Sequence, residues 1–359
     1  MKRAQLAPVR LALFKACLLR AHGRQGMHRE ENRMRAAFYD QVGRAREVLQ
    51  VGELPTPQPA AGEVRVRVKW SGINPSDVKS RGGSRPLAFP RMIPHSDGMG
   101  VIDAVGEGVD RRRIGERVWV YNAAWGRPFG TAAEYVCLPQ RMAVKMPDGV
   151  EDEVGACLGI PALTALHAVL MDGGVAGKTV LVAGGAGAVG HYAVQFAARM
   201  GAARVITTVS GPAKEALARA AGADDIINYK TEPVAERIRA ITRGAGIDRV
   251  IEMDLAANAP LDLEVLRTGG ECVTYGSSPA PLNLTFSTLL TKNLQLKFFI
   301  VYHLSDADRG RAESALQGML VRGGLIHNVA ERLPLERIAD GHEMVEQGRV
   351  MGNVVLSLD

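Results

Sequence analysis

The sequence predicts an α/β protein of two domains: a mostly β domain over residues 34–158, completed by 301–359, and a doubly wound parallel sheet over 159–300. Three observations carry this expectation. The chain has 359 residues, well beyond the roughly 150 that serve as a guide for one domain. Gly and Pro recur at short intervals from Gly72 to Gly115, the punctuation of short strands joined by turns. Around Gly159 the rhythm becomes strand and helix in alternation, which calls for a parallel sheet with helices on both faces.

In the first domain, Val64, Val66, Val68 and Trp70 alternate with Arg65, Arg67 and Lys69 over Glu63–Trp70, the period of two that buries one strand face. The cationic residues read as the solvated face. In the second domain the spacing predicts a strand over Lys178–Ala183, a helix over Val189–Met200, a strand over Arg204–Val209 and a helix over Ala213–Ala221 closed by Gly222. The series continues with a strand over Asp225–Tyr229, a helix over Val234–Thr242, a strand over Asp248–Met253, a helix near Leu261–Leu266 and a strand over Glu271–Tyr275. After residue 300 a helix, Asp306–Val321, precedes a last strand, Val354–Leu358, that returns to the first domain.

Apolar residues make up 47% of the chain and charged residues 23%, which favours a buried core over disorder or collagen-like repetition. The 40 glycines exceed the usual share of about 7% and point to tight turns or backbone passing close to a ligand. Cys17, Cys137, Cys157 and Cys272 are dispersed and form no CxxC pair, which argues against a disulfide scaffold and a structural zinc clip. The net charge of +6 resides in residues 1–33, which hold eight basic and two acidic side chains, so the balanced remainder gives no reason to expect nucleic acid. That segment reads as a basic leader: an upstream start, with the working chain beginning near Met34, or a transit peptide. Lys15 interrupts its apolar patch and no small-residue cleavage site follows, so a cytoplasmic location is expected rather than secretion. Thr179–Ala198 is uncharged over nearly the length of a membrane span, but its central glycines point to a turn, and no membrane partner is expected.

The chemistry is carried by the passage from the apolar Val180–Ala183 through Gly184, Gly185, Ala186, Gly187, Ala188, Val189 and Gly190 into the helical Ala193–Ala198. GxGxxG at Gly185, Gly187 and Gly190 closes a strand and opens a helix, the context in which backbone approaches a pyrophosphate and its charge meets a helix N-terminus. A dinucleotide site of Rossmann type is expected there. An NAD site usually places Asp or Glu about 20 residues further on, at the end of the next strand. Ser210 stands there, and Ser210, Lys214 and Tyr229 are candidates to hold a 2′-phosphate, which favours NADPH; a cap, a solvated cation and a strand-end aromatic are their ordinary alternatives. Other chemistries fail on spacing. Asp172 stands where a P-loop needs its first Gly, Glu346 replaces the second His of HExxH after His342-Glu343, and Pro86 breaks GxSxG after Gly82-Gly83-Ser84-Arg85.

With Gly72-Ile73-Asn74-Pro75-Ser76-Asp77, Asp97-Gly98-Met99-Gly100-Val101, Gly130-Thr131-Ala132-Ala133-Glu134-Tyr135 and Pro161-Ala162-Leu163-Thr164-Ala165 in order, the chain resembles the medium-chain dehydrogenase/reductase superfamily. It is most similar there to the zinc-free, zeta-crystallin-like quinone oxidoreductases, from about Met34 to Asp359. The resemblance implies a Rossmann doubly wound parallel sheet plus a GroES-like, mostly β catalytic domain, and hydride transfer from NADPH to a quinone or enone in an interdomain cleft. Zinc relatives place Cys at Asn74 and His-Glu at Ser96-Asp97, so no metal is expected. It implies that Asn74 and Asp77 border the cleft, residue types that equally cap a turn, and that a loop over Tyr121–Gly130 helps cover the acceptor, with core packing the ordinary alternative for its Trp125. Lys79 stands where such relatives commonly have Tyr. Thr164 is expected beside the nicotinamide, with Asn258, Gly276 and Asn353 as further cofactor contacts, although Asn353 replaces a usual Lys. A homodimer or homotetramer is implied. Two other readings stay open, a thioester-linked enoyl reductase and a weakly catalytic NADPH-binding protein with an RNA-binding or structural role; the neutral body argues against the second.

Overall fold

The structure, a computed structural model, describes residues 33–359; the leader lies outside them except for Arg33, which opens the first strand. The strands run in chain order as β1 (Arg33–Phe38), β2 (Gln50–Pro55), β3 (Glu63–Ile73), β4 (Asp97–Val105), β5 (Arg117–Val120), β6 (Tyr135–Pro139) and β7 (Ala143–Lys145). Then follow β8 (Thr179–Val182), β9 (Arg204–Val209), β10 (Asp225–Asn228), β11 (Ile247–Glu252), β12 (Leu266–Thr274), β13 (Gln295–Phe298), β14 (Val329–Pro334) and β15 (Asn353–Ser357).

The first domain is built on a sheet in the order β14-β15-β3-β4-β5-β7, with β6 also paired to β3 and a β1-β2 hairpin beside it. Val64, Val66 and Val68 are buried, as their alternation predicts. The opposite face is less wet than expected. The Arg65 guanidinium makes two 2.9 Å hydrogen bonds to the Asp103 carboxylate, and Lys69 Nζ lies 2.8 Å from Asp152 Oδ2. Arg65 and Lys69 thus each meet an acid that alternation alone does not reveal, whereas Arg67 stays exposed as expected. The last strand, β15, pairs antiparallel with β3, setting Val354 opposite Ile73.

The second sheet is wholly parallel, in the order β10-β9-β8-β11-β12-β13. Numbered from its first strand this is 3-2-1-4-5-6, and the reversal falls between β8 and β11, where such a sheet opens its ligand crevice. Strand boundaries match the sequence expectation to within a residue or two up to β11. Beyond it they part, because the helix covers Leu255–Val265 and β12 begins at Leu266, earlier than Glu271. The run Gln295–Phe298 forms the sixth strand, unforeseen because its two polar positions hide the apolar pattern. The helix Asp306–Arg322 packs on the helix Leu163–Leu170, burying Ala312 and Leu316 in the core shared with Leu163 and Leu166. All six parallel strands end on one edge of the sheet, and the first domain meets that edge.

Candidate cofactor and acceptor site

The glycines after β8 are required by contact. At Gly185 a Cβ would lie 2.2 Å from Thr207 Oγ1 on β9, and at Gly190 one would lie 2.2 Å from the Gly184 carbonyl oxygen. Gly184 itself takes φ +70°, a region that favours glycine. Gly187 differs. Its Cβ would meet only the Gly184 oxygen, at 3.3 Å, so the space beside it belongs to the outside of the turn. No side chain caps the helix Ala188–Arg199. The amides of Ala188, Val189 and Gly190 in its first turn therefore lack intrahelical acceptors, which makes the turn a fit for a pyrophosphate.

Ser210 follows β9 and Tyr229 follows β10, with the Tyr229 amide donating to the Val209 carbonyl at 3.1 Å. Tyr229 is exposed. Lys214 lies in the first turn of the helix Pro212–Ala220 and forms no ion pair among the described residues, whereas neighbouring Glu215 is held by Arg219. All three residues lie on the segments that leave the ends of β9 and β10, and no carboxylate stands at position 210.

At the other end, β11 and β12 finish in a tightly bonded pair of loops. A Cβ on Gly276 would lie 2.4 Å from the Met253 carbonyl oxygen, so only glycine allows the two strand ends to meet. Asn258 turns its amide inward, donating to Glu252 Oε1 at 2.9 Å. Burial pushes the Glu252 carboxyl up, and Asp262 beside it is pushed to about 9 by burial and by the Glu252 charge. Asn353 is likewise occupied, its amide donating to the Asn328 carbonyl at 3.1 Å. Both asparagines therefore hold the loops in this structure, whereas the resemblance implies contact with cofactor. Thr164 is buried at the start of Leu163–Leu170, which is launched by a widened π-turn over Leu158–Ala162 containing Pro161.

The acceptor side is assembled from distant residues. Asn74 precedes the short helix Pro75–Arg81, with Pro75 at its first position, and the Asn74 amide N–H donates to Asp77 Oδ2 at 2.8 Å. The Asn74 side chain donates to Asp97 Oδ2 at 3.0 Å. Thus Asn74 and Asp77 do cap the turn, and the turn also borders the cleft. Burial raises Asp77 to about 7 and Asp97 well above the carboxylate range, and the hydrogen bonds from Asn74 only partly oppose this. Lys79 reaches across to the Ser277 carbonyl at 3.2 Å. Trp125 stacks on Tyr302, with centroids 4.1 Å apart and planes 11° apart, and the Arg85 guanidinium lies 4.5 Å over the indole ring. The Tyr302 hydroxyl lies 2.9 Å from Ser76 Oγ. Sequence reasoning passed over Tyr302, although Phe298-Phe299-Ile300-Val301-Tyr302 is an apolar run that reads as a strand end entering the crevice.

These residues do not suit zinc. His95, the one histidine adjacent in sequence, spends both ring nitrogens, Nδ1 at 2.8 Å from Ser71 Oγ and Nε2 at 2.9 Å from His342 Nε2. Among the described residues no three His, Cys, Asp or Glu side chains converge as a metal site. Cys137, Cys157 and Cys272 are buried and free, and burial pushes their thiols up, to about 12 for Cys137.

A parallel sheet in dinucleotide-binding order, a backbone cradle at its switch point and a β domain facing the strand ends together define a two-domain dehydrogenase. Comparison with known proteins agrees. Residues 60–148 match the alcohol dehydrogenase GroES-like domain and residues 188–318 the zinc-binding dehydrogenase family. A quinone oxidoreductase of Lama guanicoe is 30% identical over 330 residues, covering 90% of this chain and 98% of the relative. A mycobacterial protein solved in complex with NADPH superposes with a TM-score of 0.80 at 28% identity, covering 90% of this chain and 99% of that one. An NAD-dependent alcohol dehydrogenase superposes with a TM-score of 0.82 at 31% identity, with the same coverage. The chain belongs to the medium-chain dehydrogenase/reductase superfamily, in its quinone oxidoreductase-like branch. It is an oxidoreductase that works with a nicotinamide cofactor.

Proposed function

We propose that this protein is an NADPH-dependent, zinc-independent reductase of quinones or α,β-unsaturated carbonyl compounds. One observation carries the reading: the cleft at the strand ends is bordered by hydroxyl, carboxyl, amide and aromatic groups, and among the described residues no ligand set for a Lewis acid converges. Alkoxide stabilisation for alcohol oxidation then lacks its usual electrostatic aid, whereas an acceptor that is already electrophilic does not need it. When bound, the reduced nicotinamide supplies a hydride, and the acceptor takes up one proton besides.

The chain's own groups bind, orient and exclude water. The turn Gly184–Gly190 receives the pyrophosphate through its amides, and Ser210, Lys214 and Tyr229 hold the 2′-phosphate by hydrogen bonds and charge. Thr164, Asn258, Gly276 and Asn353 shape the nicotinamide end, the two asparagines through the loops they brace. Asn74 and Asp77 fix the turn that carries Ser76. Tyr302, sharing a proton with Ser76, is the hydroxyl that meets the acceptor oxygen, and Trp125 offers a flat face to a planar acceptor. Lys79 and its bond to Ser277 tie the turn to the cofactor loop. We assign the protein to the cytoplasm; no helix among the described residues is long and apolar enough to cross a membrane. Two copies associate through the free edge of β13, beside which Phe286, Leu290 and Phe298 are exposed.

The test is oxidation of NADPH, with NADH beside it, against a panel of quinones, enals, enones and a crotonyl thioester, before and after EDTA. The expected result is turnover of quinones or enones, faster with NADPH and indifferent to EDTA. Loss of activity on chelation, or turnover of the thioester alone, contradicts it.

A further inference from the structure

Beneath the cleft runs a chain of hydrogen bonds among Ser71, His95, Asp97, Thr131 and His342, every one of them fully buried. Its direction is forced. Thr131 Oγ1 donates to the Asp97 carbonyl, which can only accept. Ser71 Oγ, 2.8 Å from Thr131 Oγ1, must then donate to it. His95 Nδ1, 2.8 Å from Ser71 Oγ, must carry a proton and donate in turn. His95 Nε2 is consequently bare and accepts from His342 Nε2–H at 2.9 Å. Burial keeps both rings neutral, pushing His95 down to about 3 and His342 well below its ordinary value.

At the far end, Asp97 joins two parts of the site. Its Oδ2 accepts from the Asn74 amide and from the Ile160 N–H, each at 3.0 Å. Ile160 lies in the π-turn that launches the Thr164 helix. Two glycines make room: a Cβ on Gly159 would lie 2.4 Å from Asp97 Oδ1, and one on Gly72 would lie 2.0 Å from the Ala156 carbonyl oxygen. His95 holds φ +75°, a strained conformation for a residue with a side chain, and the hydrogen bonds at both ring nitrogens oppose its relaxation.

We infer that Asp97, whose main-chain carbonyl ends the one-way chain from His342, is a positioning residue whose side chain locks the Asn74 turn to the start of the Thr164 helix, and that what the side chain supplies is an acceptor oxygen rather than a charge. This rests on the proposed reductase function. Asn has the same shape and can offer the same oxygen to both donors, while Ala removes it.

The experiment compares Asp97→Ala and Asp97→Asn in the full-length protein. Asp97→Ala is expected to lower kcat about tenfold or more while the NADPH dissociation constant stays within about twofold, and Asp97→Asn to restore kcat to within about threefold of wild type with an unmoved pH profile. Wild-type kcat in Asp97→Ala, no recovery in Asp97→Asn, or a displaced profile in Asp97→Asn overturns the inference. Should Asp97→Ala not fold, Thr131→Val serves, with kcat expected to fall about threefold at unchanged NADPH affinity; unchanged kcat overturns it. Nitrogen NMR of the imidazoles separates this inference from the function on which it rests. It should show His95 protonated on Nδ1 and His342 on Nε2, whether or not any acceptor is turned over, and the reverse tautomers contradict the chain.

Discussion

The two ends of the crevice are built from different materials. The nucleotide end is backbone: a turn from which side chains are excluded by contacts at Gly185 and Gly190, followed by an uncapped helix. The acceptor end is side chain: Asn74, Trp125 and Tyr302 are brought together from three segments, above the buried Asp97. A backbone site can be broken by adding one carbon, while a side-chain site degrades one interaction at a time. It follows that cofactor binding is the all-or-none property of this protein and acceptor preference the adjustable one.

The largest effect is expected at Gly187. A Cβ there would press only on the Gly184 carbonyl oxygen, at 3.3 Å against 2.2 Å at Gly190, so Gly187→Val should fold with a modestly lowered melting temperature and yet weaken NADPH about a hundredfold, read by nucleotide fluorescence. Gly190→Ala makes the contrast, because its new Cβ strikes the Gly184 carbonyl and should cost about 1–3 kcal/mol of stability, read by denaturant unfolding. If Gly187→Val binds NADPH normally, the cradle is not where the pyrophosphate lies. Next in size, Ser210→Asp should raise the KM for NADPH about tenfold and leave that for NADH nearly unchanged, since only NADPH brings a 2′-phosphate to the new carboxylate.

On the acceptor side, Tyr302→Phe keeps the ring on Trp125 and removes the hydroxyl. A fall of about tenfold in kcat with NADPH affinity intact is expected, and equal losses in both would assign Tyr302 to packing instead. The smallest effect concerns Asp77. Its folded value of about 7 lies above the ordinary 3.8, so the stability that its protonated form contributes is complete below about pH 4 and is lost as pH rises towards 7. Asp77→Asn should therefore gain melting temperature relative to wild type between pH 4 and pH 8. A difference that does not change with pH would mean that the carboxyl titrates normally.

The same contrast explains what the sequence disclosed. GxGxxG was legible because it joins a strand to a helix and only glycine satisfies the contacts at Gly185 and Gly190, and β8 to β11 were legible because each carries an apolar stretch, such as Val180–Val182 or Val250-Ile251. Asn74 and Asp77 could be placed in the cleft only by resemblance, since their spacing equally describes a helix cap, and the structure shows them capping. The sixth strand was missed because Gln295 and Lys297 interrupt its apolar pattern on the edge of the sheet, and without that strand nothing placed the Tyr302 that follows it at the crevice. The inward turn of Asn258 depends on a buried Glu252–Asp262 pair, an arrangement of residues ten apart that spacing does not reveal. Ion pairs such as Arg65 with Asp103 were hidden for the same reason: the partners meet across a sheet.

The most direct test follows deuterium from the C4 position of reduced NADP into an open-chain enone, read by proton NMR of the product. Deuterium on the β-carbon, with the carbonyl retained and EDTA without effect, is the result predicted for metal-free conjugate reduction. Deuterium on the carbonyl carbon of an allylic alcohol, in a reaction that chelation stops, would contradict it and return the protein to metal-assisted alcohol chemistry.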